Sequence, residues 1–134
     1  MNKHASILLA EDDDNDVFFF KRALSKTELD LAVHVAANGE QAIDYLSGKD
    51  QYGDRATYPL PCCIFLDLKL PFLSGFEVLE WLRSQPNLRD LKVAVLTSSP
   101  EERDRQKAAE LGVEKYFVKP PTPKMIVEAI EAGQ

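Results

Sequence analysis

The chain has 134 residues, enough for one domain, and 45% of them are hydrophobic, which suits a buried core and argues against global disorder. A net charge of -6 and a pI near 4.9 disfavour binding to nucleic acid or to anionic membranes. No apolar run approaches the roughly 20 residues of a membrane helix, and MNKHASILLAEDDD is too polar for a signal peptide.

Five short apolar runs are predicted strands: Ile7–Ala10, Leu31–Ala36, Cys62–Leu66, Val93–Leu96 and Tyr116–Val118. The segments between them carry helix signals. In the first, Phe19, Phe20, Ala23 and Leu24 recur at helical spacing and are expected to face the core, which turns Phe18 outward as a candidate partner or dimer contact. Asn38 with Gln41, and Ser74 with Glu77, have the spacing of capping boxes. Val78, Leu79 and Leu82 form the buried stripe of the third helix. Ser99, Pro100 and Glu102 combine a cap, a first-turn proline and a reciprocal carboxylate at the start of the fourth, and Gly112 ends it. Thr122 and Pro123 open the fifth, whose core face is Ile126, Ala129 and Ile130. The segment 47–61 reads as a long surface loop. Cys62 and Cys63 are adjacent in an apolar run, which points their side chains to opposite faces and reads as two reduced core thiols; His4 and His34 are isolated.

Strands joined through helices run parallel, so the fold class is α/β: a (βα)5 doubly wound, five-stranded parallel sheet. In such sheets, sites form at the carboxyl ends of strands, where strand order reverses. Glu11, Asp12, Asp13 and Asp14 follow the first strand, Asp67 the third, Thr97 and Ser98 the fourth, Lys119 and Pro120 the fifth. Each has an ordinary reading: helix-dipole carboxylates, a turn former, cap hydroxyls, a surface lysine. Those readings leave the shared rim unexplained. Jointly, Asp12 and Asp67 would repel by about 4 kcal/mol at about 4 Å and an effective dielectric of 20, a cost that a magnesium ion removes. Asp67 would then be a carboxylate nucleophile for a phosphoryl group, with Lys119 and Thr97 bonding to the transferred oxygens.

This set resembles the receiver domain of two-component response regulators over almost the whole chain, in the CheY-like, flavodoxin-like strand order 2-1-3-4-5. The resemblance implies Asp67 as phosphoacceptor. It also implies a Mg2+ site of Glu11, Asp12, Asp67 and the backbone carbonyl of Lys69, a switch of Thr97 and Tyr116, and a cis bond between Lys119 and Pro120. It implies a sensor histidine kinase as donor, a downstream or phosphotransfer protein as target, a cytoplasmic location, and no activity beyond the protein's own phosphorylation and dephosphorylation. Residues 1–134 are expected to form a single receiver domain without an output domain. Two features depart from the pattern. Lys69 places a cation where relatives often carry asparagine, which is expected to alter the phosphoryl lifetime, and Pro121 stiffens the loop after Pro120. A narrower resemblance, carried by EDDDNDV and the long loop before the third strand, is to single-domain receivers of phytochrome-type kinases. Two rival readings are a haloacid-dehalogenase-type hydrolase using Asp12 and Asp14, which lacks the usual Gly-Thr, and a degenerate receiver that only binds.

Overall fold

The computed structural model describes residues 5–131, so His4 lies outside the described residues. Five strands, β1 (Ser6–Ala10), β2 (Ala32–Ala36), β3 (Cys63–Leu66), β4 (Val93–Thr97) and β5 (Lys115–Val118), form one parallel sheet in the order 2-1-3-4-5. The helices are α1 (Asp14–Ser25), α2 (Gly39–Ser47), α3 (Gly75–Ser84), α4 (Glu102–Glu110) and α5 (Pro123–Glu131).

Alternation along each strand divides the core into two layers. Ile7, Leu9, Phe65, Ala94 and Leu96 meet α1 and α5 through Phe20, Leu24, Ile126 and Ala129. Leu8, Ala10, Ile64, Leu66 and Val95 meet α2, α3 and α4 through Leu46, Leu79, Leu82 and Ala108. Because β1 lies between β2 and β3, consecutive crossovers run in opposite directions and leave a crevice at the carboxyl ends of β1 and β3.

The capping signals hold with two adjustments. Asn38 accepts from the Gln41 N–H at 2.7 Å, but the Gln41 side chain bonds to the N–H of Ala37 rather than to that of the cap. Ser74 and Glu77 complete a reciprocal box. The fourth helix begins later than its signal suggests, with Glu101 at the cap position. The Ser99 hydroxyl instead accepts from the Glu101 N–H and donates to Asp104, so it braces the turn before the helix. Thr122 accepts from the Met125 N–H and caps α5. Gly112 follows α4 with a φ of +84°, where a side chain would be strained.

Phe20, Ala23 and Leu24 are buried, but Phe19 is 46% exposed and joins Phe18 (58%) outside the core. The expectation for Phe19 fails because the apolar stripe of α1 is only wide enough for Phe20 and its i+3 and i+4 neighbours. Cys63 is buried and Cys62, one residue before the strand, is exposed, so only Cys63 is a core thiol.

The long loop is more closely docked than expected. A 3-10 turn (Asp50–Gly53) and the following residues bring Tyr52 and Tyr58 against Tyr45, with ring centroids 5.2 and 6.0 Å away. The Tyr45 hydroxyl donates to the Pro59 carbonyl at 2.8 Å. Arg55 donates to the carbonyls of Tyr45, Leu46 and Tyr58, satisfying carbonyls at the end of α2.

Candidate functional site

The ladder itself assembles the rim. Ala10 pairs with Leu66 and Leu66 with Val95, so the residues just past these strands come out side by side. The Asp67 N–H donates to the Ala10 carbonyl at 3.1 Å and the Lys119 N–H to the Thr97 carbonyl at 2.8 Å, extending the pairing beyond β3 and β5. Carboxylate oxygens of Glu11, Asp12 and Asp67 lie within 4.8 Å of one another. Glu11 and Asp67 are buried and Asp12 is exposed, so the cluster opens to solvent on the Asp12 side.

Lys119 closes the other side. Its ammonium lies 2.7 Å from Glu11, 2.8 Å from Asp16 and 2.9 Å from Asp67. Burial alone would push the lysine down, but the bonds to Asp16, Glu11 and Asp67 outweigh it and hold the group well above the usual lysine range, so it stays charged. Burial pushes Glu11 up to about 7, against the lowering effect of Lys119 and of the Asp13 N–H. A divalent cation beside it would act in the opposite sense.

The loop after Asp67 is pinned at its neck. The Gly75 N–H donates to the Leu68 carbonyl at 3.0 Å, and a Cβ on Gly75 would overlap the Asp67 carbonyl oxygen and approach Leu68 Cα to 2.7 Å. Only glycine lets α3 start this close to the strand end. At the loop tip, Leu73 N–H donates to the Pro71 carbonyl around Phe72, whose φ is +70° and whose side chain is 81% exposed. That is a γ-turn with a positive central φ, a strained form for a bulky residue. The Lys69 N–H donates to Asp67 Oδ1 at 3.1 Å, and its side chain is exposed.

Thr97 is fully buried at the end of β4, and its hydroxyl faces the Ser99 N–H at 3.5 Å. Tyr116 reaches the same turn, donating to the Ser99 carbonyl at 2.8 Å, with the Arg105 guanidinium 4.6 Å from its ring centroid. The Lys119–Pro120 bond is cis.

Glu11, Asp12, Asp67, Lys69, Thr97 and Lys119 thus fall on one rim, with Tyr116 reaching the adjoining turn, while Phe18 lies on the exposed face of α1. Asp13 turns out to be the N-cap of α1, accepting from Asn15 and Asp16, and Asp14 is the first residue of that helix. The acidic cluster uses Glu11, Asp12 and Asp67, not the Asp12 and Asp14 spacing of the hydrolase alternative. Sequence reading missed Asp16; the only available signal was its position one turn into α1, on the same side as the acidic run.

A five-stranded parallel sheet in the order 2-1-3-4-5, with three carboxylates and a lysine gathered at its crevice, defines a doubly wound α/β domain with an ionic site at its switch point. Comparison with known proteins agrees. Residues 7–131 match the family model described as response regulator receiver domain. The chain is 34% identical over 113 residues to the response regulator Rcp1 of Synechocystis, covering 84% of this chain and 75% of Rcp1. The solved structure of the bacteriophytochrome response regulator RtBRR is 44% identical with a TM-score of 0.83, over 95% of this chain and 76% of that one. AtBRR, another bacteriophytochrome response regulator, is 39% identical with a TM-score of 0.84, over 97% and 92% of the two chains. A structure of Rcp1 with Mn(2+) bound is also similar, at 31% identity and a TM-score of 0.78, over 95% and 89%. The chain spans 38% of the transcriptional regulator PhoB of Escherichia coli, to which it is 37% identical over 92 residues. This chain belongs to the response regulator receiver domain family, with its phytochrome-associated members among its similar structures.

Proposed function

We propose that this protein is a phosphorylation switch in which Asp67 accepts a phosphoryl group from a sensor histidine kinase of the bacteriophytochrome type. The observation that carries this is the Asp67 carboxylate, buried but at the mouth of the crevice, with Glu11 and Asp12 within 4.8 Å and the Lys119 ammonium at 2.9 Å. A carboxylate donor set that keeps one side open to water suits magnesium, which Glu11, Asp12 and Asp67 would hold, with the Lys69 carbonyl as the further ligand that the family resemblance implies. When bound, magnesium supplies charge neutralisation on the phosphoryl oxygens and on the attacking carboxylate.

In the transfer, an Asp67 oxygen forms a bond to phosphorus as the bond from phosphorus to the donor nitrogen breaks, and the departing imidazole nitrogen is protonated. Lys119 is already in place to meet the added negative charge. Thr97 sits at the next strand end, where its hydroxyl turns from the long contact with Ser99 to the phosphoryl group. Ser99 also holds Tyr116, so movement of Thr97 is passed to Tyr116 and to the turn before α4. The protein is a phosphoacceptor with no activity beyond its own phosphorylation and dephosphorylation, and its output is a phosphorylation-dependent protein contact.

The test is intact-mass measurement after incubation with phosphoramidate and magnesium. The wild type gains one phosphoryl group and Asp67→Asn gains none; a wild type that stays unmodified, or an Asp67→Asn variant that is modified equally, refutes the assignment. The Lys69 cation beside the site shortens or lengthens the phosphorylated state, so an unchanged dephosphorylation rate in Lys69→Ala removes that part of the reading.

A further inference from the structure

We infer that Asp16 is a positioning residue that holds Lys119 in the resting protein and releases it when the phosphoryl group arrives. This rests on Asp67 being the phosphoacceptor.

A lysine ammonium has three N–H donors. In this structure three carboxylates stand within 2.9 Å of Lys119 Nζ: it donates to Asp16 and Asp67 and pairs with Glu11, so the ammonium is ringed by anionic partners. A phosphoryl oxygen arriving at the ammonium therefore competes with these partners for it. Glu11 is the least able to yield: its side chain is 3% exposed, and its other oxygen accepts from the Asp13 N–H at 3.1 Å. Asp67 carries the incoming group. Asp16 is different, with a side chain 31% exposed, so water can replace the lysine at low cost.

The local chain explains why Asp16 is free for this role. It occupies the third position of α1, from which an acidic side chain commonly folds back onto the N–H of the cap residue. That N–H, of Asp13, is already taken by Glu11. Asp13 in turn accepts from the Asp16 backbone and orients the first turn. Asp16 is thereby left to reach across the rim to a residue 103 positions away in the chain.

The exchange has a cost to the phosphorylated state, because Lys119 must leave one carboxylate and Asp16 then faces a dianionic group. Asp16→Asn removes both penalties. At saturating magnesium, the variant is expected to bind beryllofluoride, a non-covalent phosphoryl mimic, about three- to fivefold more tightly than the wild type, the upper part of the range for a solvent-accessible ion pair. The side-chain ammonium signal of Lys119 in 15N NMR reports the mechanism directly. In the wild type without divalent cations its protons are protected from water. They exchange faster in Asp16→Asn, and Asp16→Glu restores protection. Equal beryllofluoride affinity, or an ammonium signal unchanged by Asp16→Asn, overturns the role of Asp16 while leaving Asp67 in place. If the wild type binds neither beryllofluoride nor a phosphoryl group, the reading of Asp67 fails and this inference falls with it.

Discussion

Replacing Lys119 by methionine removes the cation and keeps most of the side-chain volume. Glu11 and Asp67, with side chains 3% and 7% exposed, then face each other and Asp12 without a counter-charge. At the 4.8 Å span of the cluster, one carboxylate pair repels by about 3.5 kcal/mol at an effective dielectric of 20. Loss of one partner from a buried pair costs about 3–5 kcal/mol in general. We therefore expect Lys119→Met to lose about 3 kcal/mol of stability in EDTA near neutral pH. For 134 residues that corresponds to a Tm drop of about 10 °C. The assay is thermal unfolding with and without magnesium. A divalent cation replaces the missing charge, so magnesium should raise the Tm of Lys119→Met by more than it raises that of the wild type. An unchanged Tm in EDTA, or equal magnesium shifts in the two proteins, would show that Lys119 does not balance these carboxylates.

Three further outcomes follow from the geometry. Gly75→Ala forces a methyl group against the Asp67 carbonyl and should cost about 2–3 kcal/mol in urea unfolding, with slower phosphorylation by phosphoramidate; wild-type behaviour in both would contradict the close approach. Burial pushes Tyr45 up to about 12 from 10.0, so the unfolded chain loses its proton first, and stability should fall as pH rises from about 10 towards 12, by up to about 2.7 kcal/mol. Cys63, also pushed up to about 12 by burial, adds in the same direction, and Tyr45→Phe should flatten the slope by the tyrosine's share in urea titrations at several pH values. Iodoacetamide should modify exposed Cys62 in the native protein and buried Cys63 only after unfolding; equal rates of labelling by peptide mass would overturn the burial.

The rim was legible because a parallel sheet converts strand order into spatial order. Once Asp67, Thr97 and Lys119 were read as the residues after three strands, their nearness followed from the ladder rather than from their own identities. The acidic pair followed in the same way from β1. Asp16 was not legible by that route, since it stands on a helix and meets Lys119 only through side-chain reach. The start of α4 was misplaced because Ser99 has two uses for its hydroxyl and the sequence shows only one. Phe19 was misplaced because periodicity gives a stripe but not its width. The docking of the long loop depends on Tyr52, Tyr58 and Arg55 finding Tyr45 and the end of α2, a contact between segments that no local pattern encodes.

The ion cluster around Lys119 draws its members from positions 11, 16, 67 and 119. It therefore exists only when β1, β3 and β5 are all in place, with β4 joining the last two in register. A nascent chain still missing β5, or one with a frayed edge, lacks the cation at the crevice. The cation and the carboxylates it balances are thus united only by the complete chain fold, down to its last strand.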